Sequence, residues 1–194
     1  PSHGAILALA PGFLASSALI IAGALVGGDA QLWIWTAAII LDVATPAVRG
    51  AGDFRVHAGH FAERHGLIVI IALGESIVAL GSGVTEDGVD PALVAGAALG
   101  LAAAAALWWA YFDIVAIVAE HRLTRARDAE RGVLARDSYS YIHFFLIAGI
   151  VLLALGIKKV LAHESEPLAK IAAIALCAGP ALYFFGHIAF RRRN

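Results

Sequence analysis

Six apolar stretches divide the chain, at 4–26, 31–48, 65–82, 91–118, 138–161 and 168–190. Charged residues and turn formers collect between them. A helix needs about 20 mostly apolar residues to cross the hydrocarbon core of a bilayer, and these stretches meet or approach that length. The first contains Pro11, which membrane helices tolerate better than soluble ones do. The pattern predicts an all-α fold, a polytopic membrane helix bundle of about six transmembrane helices. Nothing long enough remains for a separate soluble domain, so residues 1–194 read as a single transmembrane domain. No internal repeat is evident.

Composition agrees. The chain is 60% hydrophobic and 15% charged, with a mean hydropathy of +0.81. Soluble domains are nearer 45–50% apolar. The one cysteine, Cys177, allows no internal disulfide. The chain begins at Pro1 and has no methionine, so it reads as the C-terminal portion of a longer membrane protein. The first apolar run has no basic leader, so it reads as a span and not a signal peptide.

The placement of charge sets an orientation. Eleven of the fourteen Lys and Arg fall on one side: Arg49, Arg55 and Arg64; Arg122, Arg125, Arg127, Arg131 and Arg136; Arg191, Arg192 and Arg193. Lys158, Lys159 and Lys170 fall on the other side. The positive-inside rule then places both termini and the even-numbered loops in the cytoplasm of a bacterial inner membrane. Trp33 and Trp35 suit the outer interface. The loop 119–137 alternates Arg with Asp and Glu; it reads as an orienting cytoplasmic loop, with a helical extension beside anionic lipid as the alternative. The pairs Gly23/Gly27 and Gly96/Gly100 have the spacing of close helix contacts, although Gly is abundant here.

Charged side chains inside a membrane cost at least about 2.5–3.5 kcal/mol and usually face a bundle interior or a water-filled cavity. Three carboxylates qualify. Asp42 sits about 10 Å and Glu75 about 15 Å inside the basic ends of their spans, at about 1.5 Å per residue. Asp113 sits about one and a half turns in. His57, His60, His143 and His187 gather at the same basic end. The lopsided polarity suggests a hydrated cavity that opens to the cytoplasm and ends near Glu75. Arg64 and Glu75 are eleven residues apart and share a helix face, with Ser82 continuing it. His60, Glu63 and Arg64 would form the mouth. The alternative is that Glu75 only holds the bundle together. His57, His60 and Glu63 could also be read as metal ligands on adjacent turns, but histidines at an interface commonly meet headgroups and water. No glycine-rich phosphate loop or nucleophile elbow occurs, and the sequence names no cofactor.

Four segments carry a resemblance. His60-Phe61-Ala62-Glu63-Arg64 followed by Gly66-Leu67-Ile68-Val69-Ile70-Ile71-Ala72-Leu73-Gly74-Glu75-Ser76-Ile77 resembles the central signature of the bacterial low-temperature-requirement protein A family. Trp108-Trp109-Ala110-Tyr111-Phe112-Asp113 is similar to a second block, as are segments 148–156 and 181–187. The resemblance implies a multi-pass bacterial membrane protein linked by name to growth in the cold. It supplies no mechanism. The family's opening helix carries a Glu-Leu-Phe-Phe-Asp-Leu-like motif that this chain lacks, so the likeness is to the later part of a longer protein.

The favoured expectation is proton- or ion-coupled transport or permeation. Glu75 is the central site, Asp42 and Asp113 are its partners, and His143 lies on the same side. The alternatives are a membrane-embedded metal-dependent hydrolase using His57, His60, His143 or His187, and a non-catalytic cold-growth factor. Expected partners are the lipid bilayer, a small solute or ion, and a second copy of the chain. No nucleic acid is expected.

Overall fold

A computed structural model describes residues 3–49, 56–82, 91–162 and 167–194. The described residues are helical: α1 (His3–Val26), α2 (Gly28–Arg49), α3 (Ala58–Ser82), α4 (Pro91–Phe112), α5 (Val115–Arg125), α6 (Asp128–Leu134), a π-helical segment (Ala135–Ile142), α7 (His143–Leu161) and α8 (Lys170–Arg193). Five stretches are long and apolar enough to cross a membrane: Ile6–Val26, Gly28–Arg49, Pro91–Arg125, Ala129–Leu161 and Lys170–Arg193. The other long helix, α3, has 25 residues. Glu75 is the one charge in its stretch 66–82.

Several expected boundaries move. The third span was expected at 65–82, but α3 starts at Ala58, so His60, Glu63 and Arg64 lie within its first turns. The fourth does not run unbroken to 118. It ends at Phe112, and α5 begins after a two-residue turn, Asp113–Ile114. Asp competes for backbone hydrogen bonds and the following Ile and Val are β-branched, both unfavourable in a helix. The segment 119–137 is not a plain loop: α5 and α6 occupy most of it.

The chain forms two compact units, Pro1–Val56 with Ala126–Arg136, and His57–Arg125 with Asp137–Asn194. In the first unit α1 and α2 pair as an antiparallel hairpin. Gly27 and Gly28 turn the chain with φ of 66° and 59°, where a side chain would be strained. The Trp35 indole donates to the Ile20 carbonyl at 3.1 Å. A Cβ on Gly23 would lie 2.7 Å from that indole, so Gly23 serves packing inside the hairpin.

The second unit is organised by α7 against α8. Gly149 and Gly156 on one helix, and Gly179 and Gly186 on the other, repeat every seven residues. A Cβ on Gly149 would stand 2.7 Å from the Gly179 carbonyl oxygen, and one on Gly179 would stand 2.6 Å from the Leu153 nitrogen. Gly156 faces Leu176, and Gly186 faces Leu146. The pair is antiparallel and backbone meets backbone, which only glycine permits at this separation. The expected contact pairs, Gly23/Gly27 and Gly96/Gly100, use a four-residue spacing; the decisive one is seven. From this pair, Tyr183 donates to the Leu107 carbonyl of α4 at 2.6 Å. Ala62, Val69, Leu73 and Ser76 form the buried face of α3.

Overpacking a tight contact costs about 1–3 kcal/mol. Gly149→Ala and Gly179→Ala are each expected to lower the thermal unfolding temperature of the detergent-purified protein by several degrees. Gly74→Ala, where a Cβ meets open space, should leave it unchanged.

Candidate functional site

At the arginine-rich end of the second unit, α3 separates from α4 and α5 and leaves a cleft of about 290 Å³. Its floor includes Gly66, Leu67 and Ile70 from α3, and Tyr111 and Phe112 from α4. Tyr139 of the π-helical segment closes one side. Glu63 and Glu120 stand at its outer edge, where it meets a shallower basin of about 440 Å³ rimmed by His57, Gly59 and His60. Glu63 and Glu120 line both depressions. A Cβ on Gly66 would touch the Phe112 ring at 3.4 Å, and one on Gly59 would come within 3.7 Å of the Glu120 carboxylate, both at ordinary van der Waals distance.

Behind the cleft lies a buried aromatic and imidazole cluster. Tyr111 and His143 share a hydrogen bond between hydroxyl and Nε2 at 3.1 Å. The His143 ring meets His65 edge-on at 5.3 Å and Phe190 at 5.9 Å. His65 directs Nδ1 at the Phe61 carbonyl, 2.8 Å away. A carbonyl only accepts, so that nitrogen carries the proton. Tyr139 packs edge-on against Phe61 and His65. Its hydroxyl has no hydrogen-bond partner among the described residues, and the residue is only 2% exposed. A π-helical turn is uncommon and is frequent at functional sites. Here it carries both Tyr139 and Ser138, whose buried hydroxyl also has no partner among the described residues.

The expected site residues separate into groups. His60 and Glu63 come together, with Nδ1 and Oε2 3.5 Å apart at the exposed rim. His57 is nearby, its ring 6.3 Å from that of His60. Among the described residues no three His, Cys, Asp or Glu gather so as to hold a metal ion. His143 is 2% exposed, inside the cluster. His187 is buried and donates Nε2–H to the Ala110 carbonyl at 2.9 Å. That carbonyl lies one turn before the break at Asp113–Ile114, so His187 secures a helix end.

Glu75 does not end the cleft. It sits about 120° around α3 from Glu63, at about 100° per residue. It is exposed and shares its face with Arg64, as their spacing predicts. Ser82 is outside the residues whose side chains are described. Asp113 lies in the exposed turn after α4. Phe112 packs at Gly66, so Glu75 lies about nine residues, or about 14 Å, further along α3. Asp113 and Glu75 are therefore not direct partners. Asp42 belongs to the first unit. There it accepts from Ser16, 2.9 Å away, and the Ser16 hydroxyl also reaches the Phe13 carbonyl at 3.0 Å.

Sequence reasoning missed Glu120, Tyr111, Tyr139 and His65. Glu120 sat in a stretch read as an orienting loop. The aromatic residues looked like ordinary apolar content. The one available signal was the recurrence of Tyr and His at the same end of several spans.

Tyr111→Phe removes the partner of a buried imidazole, and such a loss costs about 1–3 kcal/mol. The expected result is a lower unfolding temperature and a shifted His143 ring resonance in NMR spectra of the selectively labelled protein.

The family profile described as bacterial low temperature requirement A protein (LtrA) matches residues 1–194, the whole chain. An uncharacterized protein of Rhizobium meliloti (strain 1021) is 27% identical over 191 residues, covering 91% of this chain and 45% of that relative. The chain thus spans less than half the length of that relative. No solved structure matches it. With its long apolar helices and a family match from end to end, this membrane protein belongs to the bacterial low temperature requirement A (LtrA) family.

Proposed function

We propose that the protein moves a small solute or ion across the bacterial cytoplasmic membrane, with Glu75 as the proton or cation site. The observation that carries this reading is the placement of Glu75. It is the one carboxylate within the apolar stretch of α3, it is exposed, and it has no hydrogen-bond or ion-pair partner among the described residues. A lone ionisable group at that depth is costly and marks ion pathways and proton relays in membrane proteins. Asp42, which is also exposed, differs in being bonded to Ser16. Glu63 and Glu120 line a cleft at the arginine-rich end, which the positive-inside rule assigns to the cytoplasm, on a different face of α3 from Glu75. His60 and Glu63 lie at its rim, and Arg64 shares the face of Glu75. His143 belongs to the buried cluster behind the cleft. The metal-dependent hydrolase has no assembled ligand group to favour it among the described residues.

The test uses the full-length protein in liposomes. Proton flux is driven by a potassium diffusion potential and followed with an entrapped pH-sensitive dye. Glu75→Gln keeps the shape of the side chain and removes its charge. It should lower flux at least about tenfold, a change of about 1.4 kcal/mol or more in the rate-limiting step, with the unfolding temperature unchanged. Flux equal to that of the unaltered protein would remove Glu75 from the pathway.

A further inference from the structure

We propose that Tyr139 is a gate. The π-helical segment Ala135–Ile142 relaxes to an α-helical register, swings the Tyr139 ring aside and opens the cleft onto the buried imidazole of His143. The proposal goes beyond the transport reading and does not depend on Glu75. Four observations carry it.

The first is position. Tyr139 lines the cleft between α3 and α4–α5. The same ring stacks on that of His143, with centroids 6.5 Å apart, and meets Phe190 edge-on at 5.2 Å. His143 is 2% exposed and does not line the cleft. Tyr111, the other tyrosine of this wall, is hydrogen-bonded to His143. Tyr139 has no such bond to hold it in place among the described residues.

The second is the cost of the closed state. The hydroxyls of Ser138 and Tyr139 are buried with no hydrogen-bond partner among the described residues. Buried hydroxyls are nearly always paired, and an unpaired one costs free energy. Both oxygens are sealed from the cleft, so no molecule seated there answers them. They are answered only when the backbone that carries them moves and admits water.

The third is that backbone. Both residues sit on the π-helical segment. Such turns are rare, and their bonds run from i to i+5 where those of an α-helix run from i to i+4. α7 follows directly and is fixed to α8 by the glycine contact. Shortening each bond by one residue turns Ser138 and Tyr139 about the helix axis relative to α7, so neither side chain keeps its place.

The fourth is a latch. Arg193, the last residue of α8, donates to Asp137 at 3.4 Å. Asp137 immediately precedes the two hydroxyl residues, so the pair ties the segment to the α7–α8 frame. Its side chains are 37% and 28% exposed, and ion pairs that water reaches are weak. A latch of this strength holds the gate shut without locking it.

The experiment modifies histidines with diethyl pyrocarbonate in the full-length protein in detergent and reads each site by mass spectrometry. Hydrogen–deuterium exchange of the backbone is followed in parallel. His60, exposed at the rim, gives the reference rate. His143 should react slowly but measurably in the folded protein. Asp137→Asn should speed its reaction about twofold to fivefold, the worth of a part-exposed ion pair. Tyr139→Phe should slow it about fivefold or more, because the closed state no longer buries an unpaired hydroxyl. A tyrosine kept only for packing would leave the rate unaltered on losing its hydroxyl. Amide exchange over 135–143 should follow the same order, faster in the first variant and slower in the second, with exchange over 150–157 unchanged. Four results would each overturn the proposal: an inert His143, equal rates in all three proteins, faster reaction in Tyr139→Phe, or changed His143 reaction without matching change in amide exchange. Neither readout involves flux, so failure here leaves the Glu75 test standing, and failure there leaves this one.

Discussion

The glycine contact between α7 and α8 is the constraint on which the second unit depends. Lipid tails are as apolar as leucine side chains, so helices in a membrane gain little from hiding apolar surface and must associate by close packing. Gly149, Gly156, Gly179 and Gly186 let the two backbones touch along their length. That contact fixes the register of the pair. The register then presents Tyr183 and His187 to the carbonyls of Leu107 and Ala110, which anchors α4. It also places His143, the first residue of α7, against Tyr111. The cleft is what remains where α3 and the α4–α5 bend diverge beside this fixed frame.

Polar groups within the apolar helices follow one rule and a few exceptions. Ser16 with Asp42, Tyr111 with His143, Tyr183 with a carbonyl and His187 with a carbonyl all satisfy each other. A buried polar atom without a partner costs free energy wherever it occurs. Among the described residues Ser76, Ser138 and Tyr139 leave their hydroxyls unpartnered, and Glu75 stands exposed within the apolar stretch of α3. The exceptions fall on α3 and the π-helical segment, the two elements that border the cleft or carry Glu75. Function is best sought where the fold tolerates such costs.

Neighbouring positions on α3 have divergent fates, and the helical period explains why. Ser76 is buried in the unit while Glu75, one residue earlier, is exposed. Glu63 borders the cleft, and Arg64 shares the outward face with Glu75. A polar stripe read along the sequence therefore divides into two faces with different surroundings. The expected cavity ending at Glu75 merged them, because spacing alone tells which residues share a face but not what that face meets.

Apolar run length and the segregation of arginine determined, without any structure, that this is a helical membrane protein, because bilayer thickness and the cost of unpaired backbone groups leave few other solutions. The pairing of His60 with Glu63 was legible too, since residues three apart on a helix are neighbours. Tertiary packing decided the rest. Glu120 of α5 joins Glu63 of α3 in lining one cleft, Tyr139 joins them from a π-helical segment, and His187 becomes a brace for a broken helix. Those relations join residues far apart in the chain through contacts set by the α7–α8 register. No local period encodes that register; it arises only when the glycine faces of two helices meet.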